Sequence, residues 1–420
     1  MNTGTGRPDR TGEAVMAEAA TGEVVEELCA AVFEPLRRRD QRERGRQYVR
    51  GLLAAEGRKS IRNMALQTGS GGAAEEQALH HFIAGSTWDW QPIRTALAHY
   101  LGRSAPLSAW VVQPMAIPRG GEHSVGVGNR FDPHHGQVFR GQQALATWFI
   151  SGGVATPVQW RLLLGGEGPA VSADSYEACA VAGAVELARG SAGGVRPVVL
   201  DVPDIATRAT LGRFAEARVP VVARVSPGAR LGVADQRLPG YGALPMAARD
   251  ILQNVRGMRM PVEWADPERA GARRSSLVAA VRVLLAGREM LLFGEWSDAR
   301  RLPGRMWVTD MTRAAPGALV RLTKNAGKVS LAAGASMDRV GLRDFAGRSL
   351  SGWHRHVTLA SVAHAGLWLA GRLPPSSPAP APGARPRRPS PPWPAADPPG
   401  ARRHGPRPPR RRPPGARVTP

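Results

Sequence analysis

The densest collection of reactive side chains in the sequence is the run Gly352-Trp353-His354-Arg355-His356, with a further histidine at His364. Imidazoles in such a cluster could hold a metal ion. On a helix, however, residues i and i+2 project from different sides, so His354 and His356 do not share one ion. Arg321, Lys324 and Lys328 stand at i, i+3 and i+7, a spacing that puts three cations on one helical face. Such a stripe can bind phosphates or serve as a solvated basic face. His134-His135 lies in an Asp-Pro-His-His-Gly turn and reads as a solvated loop. The glycine-rich stretch 164–168 lacks the Lys-Ser/Thr of a phosphate loop and reads as a turn. Cys29 and Cys179 have no ligand spacing and sit among apolar residues, which predicts buried thiols in a reducing, cytoplasmic setting rather than a zinc site or a disulfide.

The charge balance points to a partner. A formal net charge of +22, from 56 Lys+Arg against 34 Asp+Glu, attracts polyanions, and nucleic acid is the first to consider. Part of that charge lies in residues 374–420, which hold ten arginines against one aspartate and 18 of the 37 prolines. Such a segment cannot bury enough apolar surface to fold, so a disordered tail is expected from residue 373. The longest apolar stretch nearby, residues 357–370, contains His364 and is too short to span a bilayer; it predicts a buried helix and no membrane partner.

The elements that would position these groups follow from periodicity. Residues 1–24 lack sustained apolar spacing and are expected to be a mobile extension. Val25, Leu28, Val32 and Leu36, then Tyr48, Leu52 and Leu53, then Ile61, Met64 and Ala65 recur at helical spacing, with Ser60 placed as a cap. A helical N-terminal domain over 25–105 is expected, its last helix opened by Trp88-Asp89-Trp90. From Trp110 the pattern changes to short apolar runs, at 110–112, 138–150, 197–200 and 219–225, alternating with helical segments at 175–189 and 206–218. This predicts an α/β domain with a partly parallel sheet over 106–372. Further short strands at 290–293 and 306–309 fall in a Pro- and Gly-rich insertion around 226–315, followed by a mainly helical stretch.

The C-terminal run carries a resemblance. Gly341-Leu342-Arg343-Asp344-Phe345, Gly347-Arg348-Ser349, the stretch from Gly352 to Ala360 and Ala363-His364-Ala365 together resemble insertion-sequence transposases of the IS seven-oh-one group. These belong to the IS-four-like DDE superfamily, where the stretch reads like G-L-D-H-F-E-G-R-S-x-x-G-W-H-R-H-V-T-L-A. Other blocks agree in order, among them Tyr48-Val49-Arg50-Gly51-Leu52-Leu53, Gly57-Arg58-Lys59-Ser60-Ile61-Arg62, His123-Ser124-Val125-Gly126-Val127 and Leu319-Val320-Arg321-Leu322. The resemblance spans residues 26–370. It implies a ribonuclease-H-like α/β fold, three carboxylates holding Mg²⁺ or Mn²⁺, and DNA as the partner through the terminal inverted repeats of an element. A homo-oligomer is also compatible with it.

Carried over residue by residue, the resemblance exposes a departure. Where the family has W-V-x-D-D-T-G-x-P, this chain reads Trp110-Val111-Val112-Gln113-Pro114-Met115-Ala116-Ile117-Pro118, so Gln113 and Pro114 replace the first acid. Val198-Val199-Leu200-Asp201 matches the second, leaving Asp201 as the one retained candidate ligand. In the third pattern, R-x-x-x-E-x-x-x-x-x-x-K, Ala326, Ser330 and Met337 stand at the Arg, Glu and Lys. One carboxylate does not hold two Mg²⁺ ions, which are reluctant to dehydrate. Metal-dependent cleavage is therefore expected to be absent or very weak unless substitute acids serve; Glu122, Asp132, Asp204, Asp338 and Asp344 are available but lie off the required strand end or helix face. DNA contact is expected from the one-faced stripe of Arg321, Lys324 and Lys328, and the place of the Trp-His-Arg-His run after the catalytic helix in the resembled family implies contact by Arg355, with Trp353 as packing. The overall expectation is a transposase-family DNA-binding protein with a degenerate site, cytoplasmic and nucleoid-associated when bound to DNA; the alternatives are an active DDE endonuclease and strand transferase using substitute acids, or a non-functional transposase remnant.

Overall fold

The computed structural model describes residues 10–68, 72–119, 123–132, 136–152, 154–164, 173–191, 194–203, 205–266, 269, 271–298 and 302–371. The Pro/Arg-rich tail, the His134-His135 turn, the glycines at 165–168, Glu122, Asp204 and the Cys179 side chain lie outside what is described.

The helices come first. They are α1 (Arg10–Val32), α2 (Arg39–Ala54), α3 (Ile61–Gln67), α4 (Ala73–His80), which runs on into a wider π turn at His81–Gly85, and α5 (Gln91–Ser104). The extension expected to be mobile through residue 24 is helical from Arg10. Its alanines and glutamates are strong helix formers, and the buried Val25, Leu28, Cys29 and Val32 anchor the same helix further on. Ser60 caps α3 by accepting the Asn63 amide at 3.2 Å, and Asp89 accepts the Gln91 amide at 2.9 Å where α5 begins.

The sheet begins with β1 (Ala109–Pro118), β2 (Gly128–Asp132), β3 (Gln137–Ser151) and β4 (Val154–Leu163), and then, after α6 (Ala173–Arg189), β5 (Val198–Leu200), α7 (Arg208–Glu216) and β6 (Val221–Val225). The strands lie in the order β4-β3-β1-β5-β6, with β3 antiparallel to both β4 and β1 and with β1, β5 and β6 parallel. That arrangement is consistent with the ribonuclease-H-like fold. The region expected as an insertion holds β7 (Arg230–Val233), β8 (Met246–Ala247), α8 (Ala248–Asn254), β9 (Met260–Ala265), β10 (Arg273–Leu285), β11 (Arg288–Trp296) and β12 (Met306–Thr309). It continues the same sheet, because β12 pairs antiparallel with β6, β11 with β12 and β10 with β11. The edge that β6 would otherwise expose is thereby closed.

Helices α9 (Pro316–Thr323), α10 (Asn325–Leu331), α11 (Met337–Arg339) and α12 (Leu350–Leu369) complete the described elements. Every residue of α12 from Gly352 to Leu367 is buried. It packs against α1, α2, α5 and β4, so the N-terminal helices and the sheet share one hydrophobic core. At Gly366 the approach of α1 is so close that a Cβ would stand 2.8 Å from Val25.

A helix buried on all sides must satisfy its polar side chains internally. Trp160 on β4 donates its indole N–H to Ser361 at 2.9 Å. The His356 ring donates from Nε2 to the Gly341 carbonyl at 2.9 Å, which leaves Nδ1 to accept the Tyr48 hydroxyl at 2.9 Å. The central group is Arg94 on α5, 1% exposed. Its guanidinium donates to Thr358 at 2.7 Å, Gln159 Oε1 at 2.6 Å, the Trp160 carbonyl at 3.0 Å and the His354 carbonyl at 3.2 Å, with His354 Nδ1 also at 3.2 Å. No carboxylate is among these hydrogen-bond partners, so the charge is held mainly by oriented dipoles, with Asp89 acting on it from further off.

Replacing Arg94 by Ala should lower stability by about 3 kcal/mol or more, because it strands several buried acceptors and leaves a void. Chemical denaturation checks this, and an unchanged midpoint would mean the guanidinium contributes nothing net. A second expectation concerns pH. Burial pushes His354 and His364 down to about 3 and His356 down to about 4. These histidines are neutral in the fold but take protons readily when unfolded, so the stability they provide is present above the ordinary histidine pKa, about 6.5, and is lost as pH falls from there toward 4. Denaturation midpoints measured from pH 7.5 to 4.5 should fall, and less steeply when His356 is replaced by Gln.

Candidate functional site

The middle of β1, the end of β5 and helix α10 meet at one point. Asp201 directly follows β5 and is fully buried, its amide donating to the Val112 carbonyl of β1 at 3.0 Å. Gln113 directs its side-chain amide into the same space. Its Nε2 donates to Asp201 Oδ2 at 2.8 Å, and Ser330 Oγ and the Ala326 carbonyl lie at 3.2 and 3.4 Å from it. Ser330 in turn donates to the Ala326 carbonyl at 3.1 Å, one turn back on α10. Gln113, Asp201 and Ser330, which the sequence placed on three separate elements, are therefore brought together, with Gln113 in contact with both others.

Pro114 takes no part in this contact, and its position has a backbone explanation. Residues Trp110 and Val112 direct their main-chain groups toward β5, so the nitrogen of Pro114 faces the same side. The β1–β5 ladder runs only from Trp110 to Val112, so a residue without an N–H breaks no bond there.

Two cations that sequence reasoning did not single out complete the cluster. Arg224 on β6 approaches Asp201 Oδ1 at 3.3 Å, and Arg305, just before β12, approaches Oδ2 at 3.5 Å. The pairing of β6 with β12 places them side by side. Both remain partly exposed, at 25% and 44% of the side chain, whereas the carboxylate does not. The only signal of Arg224 in the sequence was a charged residue inside an otherwise apolar run, Val221-Val222-Ala223-Arg224-Val225. Arg305 enters through β12, which no local pattern places beside β6.

The donor set does not fit a pair of divalent ions. It offers one carboxylate already paired with two guanidiniums, a carboxamide that presents N–H to that carboxylate, and a hydroxyl. Among the described residues no three His, Cys, Asp or Glu side chains come together in a way that could hold a metal. Of the substitute acids, Asp338 pairs with Arg343 at 3.2 Å and Asp344 accepts the Lys59 amide at 2.8 Å. Asp132 is buried at the end of β2 and has interactions of its own.

The remaining predicted contact residues separate. Arg355 is buried, donating to the carbonyls of Trp88 at 3.1 Å and Ile83 at 3.0 Å and lying over the Trp88 ring at 5.4 Å. The expected phosphate contact is thus corrected to a structural role: a side chain on a fully enclosed helix does not reach a ligand. The basic stripe is also divided, because the chain turns between α9 and α10 at Lys324. Lys324 sits against both oxygens of Glu295 at 2.5 and 2.6 Å and 3.7 Å above the Trp264 ring, so its charge is neutralised. Lys328 donates to the Gly152 carbonyl at 2.6 Å, and Arg321 remains exposed, reaching the Glu263 carbonyl at 3.4 Å. Cys29 is buried, and burial pushes its thiol up to about 12, so it is unreactive. Among the described residues no helix is long and apolar enough to cross a membrane.

No curated protein matches the chain. Among solved structures it is similar to the piggyBac transposase in a synaptic complex with hairpin DNA, with 10% identity, a TM-score of 0.38, and coverage of 84% of this chain and 74% of that one. Residues 31–185, from the end of α1 into α6, match a family model described as DDE superfamily endonuclease; the match includes Gln113 and stops short of Asp201 and Ser330.

Proposed function

We propose that this protein is a DNA-binding protein of the transposase kind, of insertion-sequence descent, in which metal-dependent strand cleavage has been lost or nearly lost. The observation that carries the reading is the state of Asp201: its two oxygens face the Gln113 amide, Arg224 and Arg305. Two-metal cleavage relies on several carboxylates to bind both ions and so stabilise the attacking and leaving oxygens. Here guanidiniums stand beside the carboxylate instead, and a divalent ion would have to displace them while shedding tightly held water. The same two arginines, partly open to solvent, leave a positive field at the site, which suits a DNA phosphate that is bound and not cut. The DNA proposed is the terminal inverted repeats of the parent element.

The direct test is nicking of DNA carrying candidate element ends in Mg²⁺ or Mn²⁺, beside an Asp201→Ala variant and a gel shift on the same DNA. Salt-sensitive retardation without cleavage is expected. Cleavage that disappears in Asp201→Ala would overturn the reading. The metal site should also be restorable: with Gln113→Asp and Ser330→Glu combined, millimolar Mn²⁺ should raise the melting temperature, as ligand binding to the folded state requires, and should leave that of the unaltered protein in place. An equal rise in the unaltered protein would show that substitute ligands already serve.

A further inference from the structure

Two basic motifs far apart in the chain, Gly57-Arg58-Lys59-Ser60-Ile61-Arg62 and Gly347-Arg348-Ser349, line a single cavity of about 640 Å³ that the site at Asp201 does not use. Its floor is the hydrogen-bonded pair Tyr48 and His356, and its wall is apolar, formed by Ile61, Ile83 and Phe345. The rim is cationic. Arg58, Arg62 and Arg348 are exposed, and among the described residues none has an ion-pair partner. The twenty-residue helix α12 begins here, capped by Ser349, which accepts the Gly352 amide at 3.1 Å, so the positive end of its dipole faces the same space. Arg119 stands behind, with Nε and Nη2 buried and without partners, near enough to Arg58 and Asp344 to feel both charges. The acids are fewer: Glu76 is on the rim, and Asp344 is turned to the Lys59 amide. Lys59 itself donates to the Ala55 carbonyl at the end of α2, so its ammonium is not part of the rim.

We propose that this cavity binds one nucleotide, its phosphate between Arg58, Arg62 and Arg348 and its base along the apolar wall. The volume suits a ligand of that size. Arginine is the side chain whose planar fork matches phosphate oxygens, and a helix N-terminus adds aligned amides. The nucleotide is a unit of a DNA strand if the DNA-binding reading holds, on which this form of the inference rests, or a free mononucleotide otherwise.

The test uses the full chain with Arg58→Gln, Arg62→Gln and Arg348→Gln combined, beside a control of equal charge loss, Arg208→Gln, Arg213→Gln and Arg288→Gln, at a separate exposed arginine cluster. Thermal melting checks that each variant folds. Anisotropy of a labelled single-stranded oligonucleotide, titrated across salt, should show binding weakened at least about tenfold in the first variant, with the slope of log K against log salt shallower by about 0.7, the share of one phosphate on a single strand. The control should change less. Undiminished binding in the first variant, or equal loss in both, overturns the proposal. If the unaltered protein binds no DNA, the DNA-binding reading has failed, and thymidine 5′-monophosphate then decides. A rise in melting temperature confined to proteins with the three rim arginines upholds the cavity as a free-nucleotide site, and no rise overturns it.

Discussion

A guanidinium buried without a carboxylate is the constraint on which the rest of the structure depends. Arg94 joins α5, β4 and α12 through hydroxyl, amide and carbonyl oxygens. Burial pushes its pKa well below the ordinary value, with the nearby Arg161 acting in the same direction. An arginine in this position stays charged only if every donor has an acceptor at short range. That condition fixes how α12 sits against β4, and α12 in turn presents its opposite sides to α1 and α2. The Trp-His-Arg-His run that first suggests chemistry is therefore an assembly device. His354 stacks on Trp90 with ring centroids 4.7 Å apart, Arg355 holds the turn before α5, and His356 ties α2 to the chain at Gly341.

The site at Asp201 is organised around one buried charge. The middle of one strand, the end of another and a helix bring three side chains together, with Gln113 touching both Asp201 and Ser330. Two arginines beside the aspartate supply the compensating positive charge. The second arginine comes from the β7 to β12 region, so the added strands, besides extending the sheet, alter the chemistry at its parallel centre. The buried carboxylate is stabilised by this enclosure, which accounts physically for a fully buried aspartate without acidic neighbours.

The sequence alone determined the periodic elements and their order. The apolar spacing of α2, α3 and α5, the strand runs of β3, β11 and β12 and the enclosed helix α12 were legible because local hydrophobic pattern and capping residues such as Ser60 act over a few neighbours. The resemblance of its motifs likewise pointed to Gln113, Asp201 and Ser330, which the fold brings together. Local pattern failed where the signal was weak or depended on distant partners. An Ala- and Glu-rich start read as mobile, although it is helical from Arg10. Arg355 read as a contact residue, since nothing nearby in sequence reveals that α12 is covered on all sides.

Only the tertiary structure decided which charges meet. Arg224 and Arg305 reach Asp201 because β12 pairs with β6, and Lys324 is neutralised because β11 brings Glu295 to it. Arg58, Arg62 and Arg348 border one cavity because α3 and the start of α12 converge. Electrostatic neighbours are set by distances of a few ångströms between segments that are remote in the chain. Composition reports only their sum, +22 here, whereas the fold determines where that charge is spent internally and where it stays open to a partner.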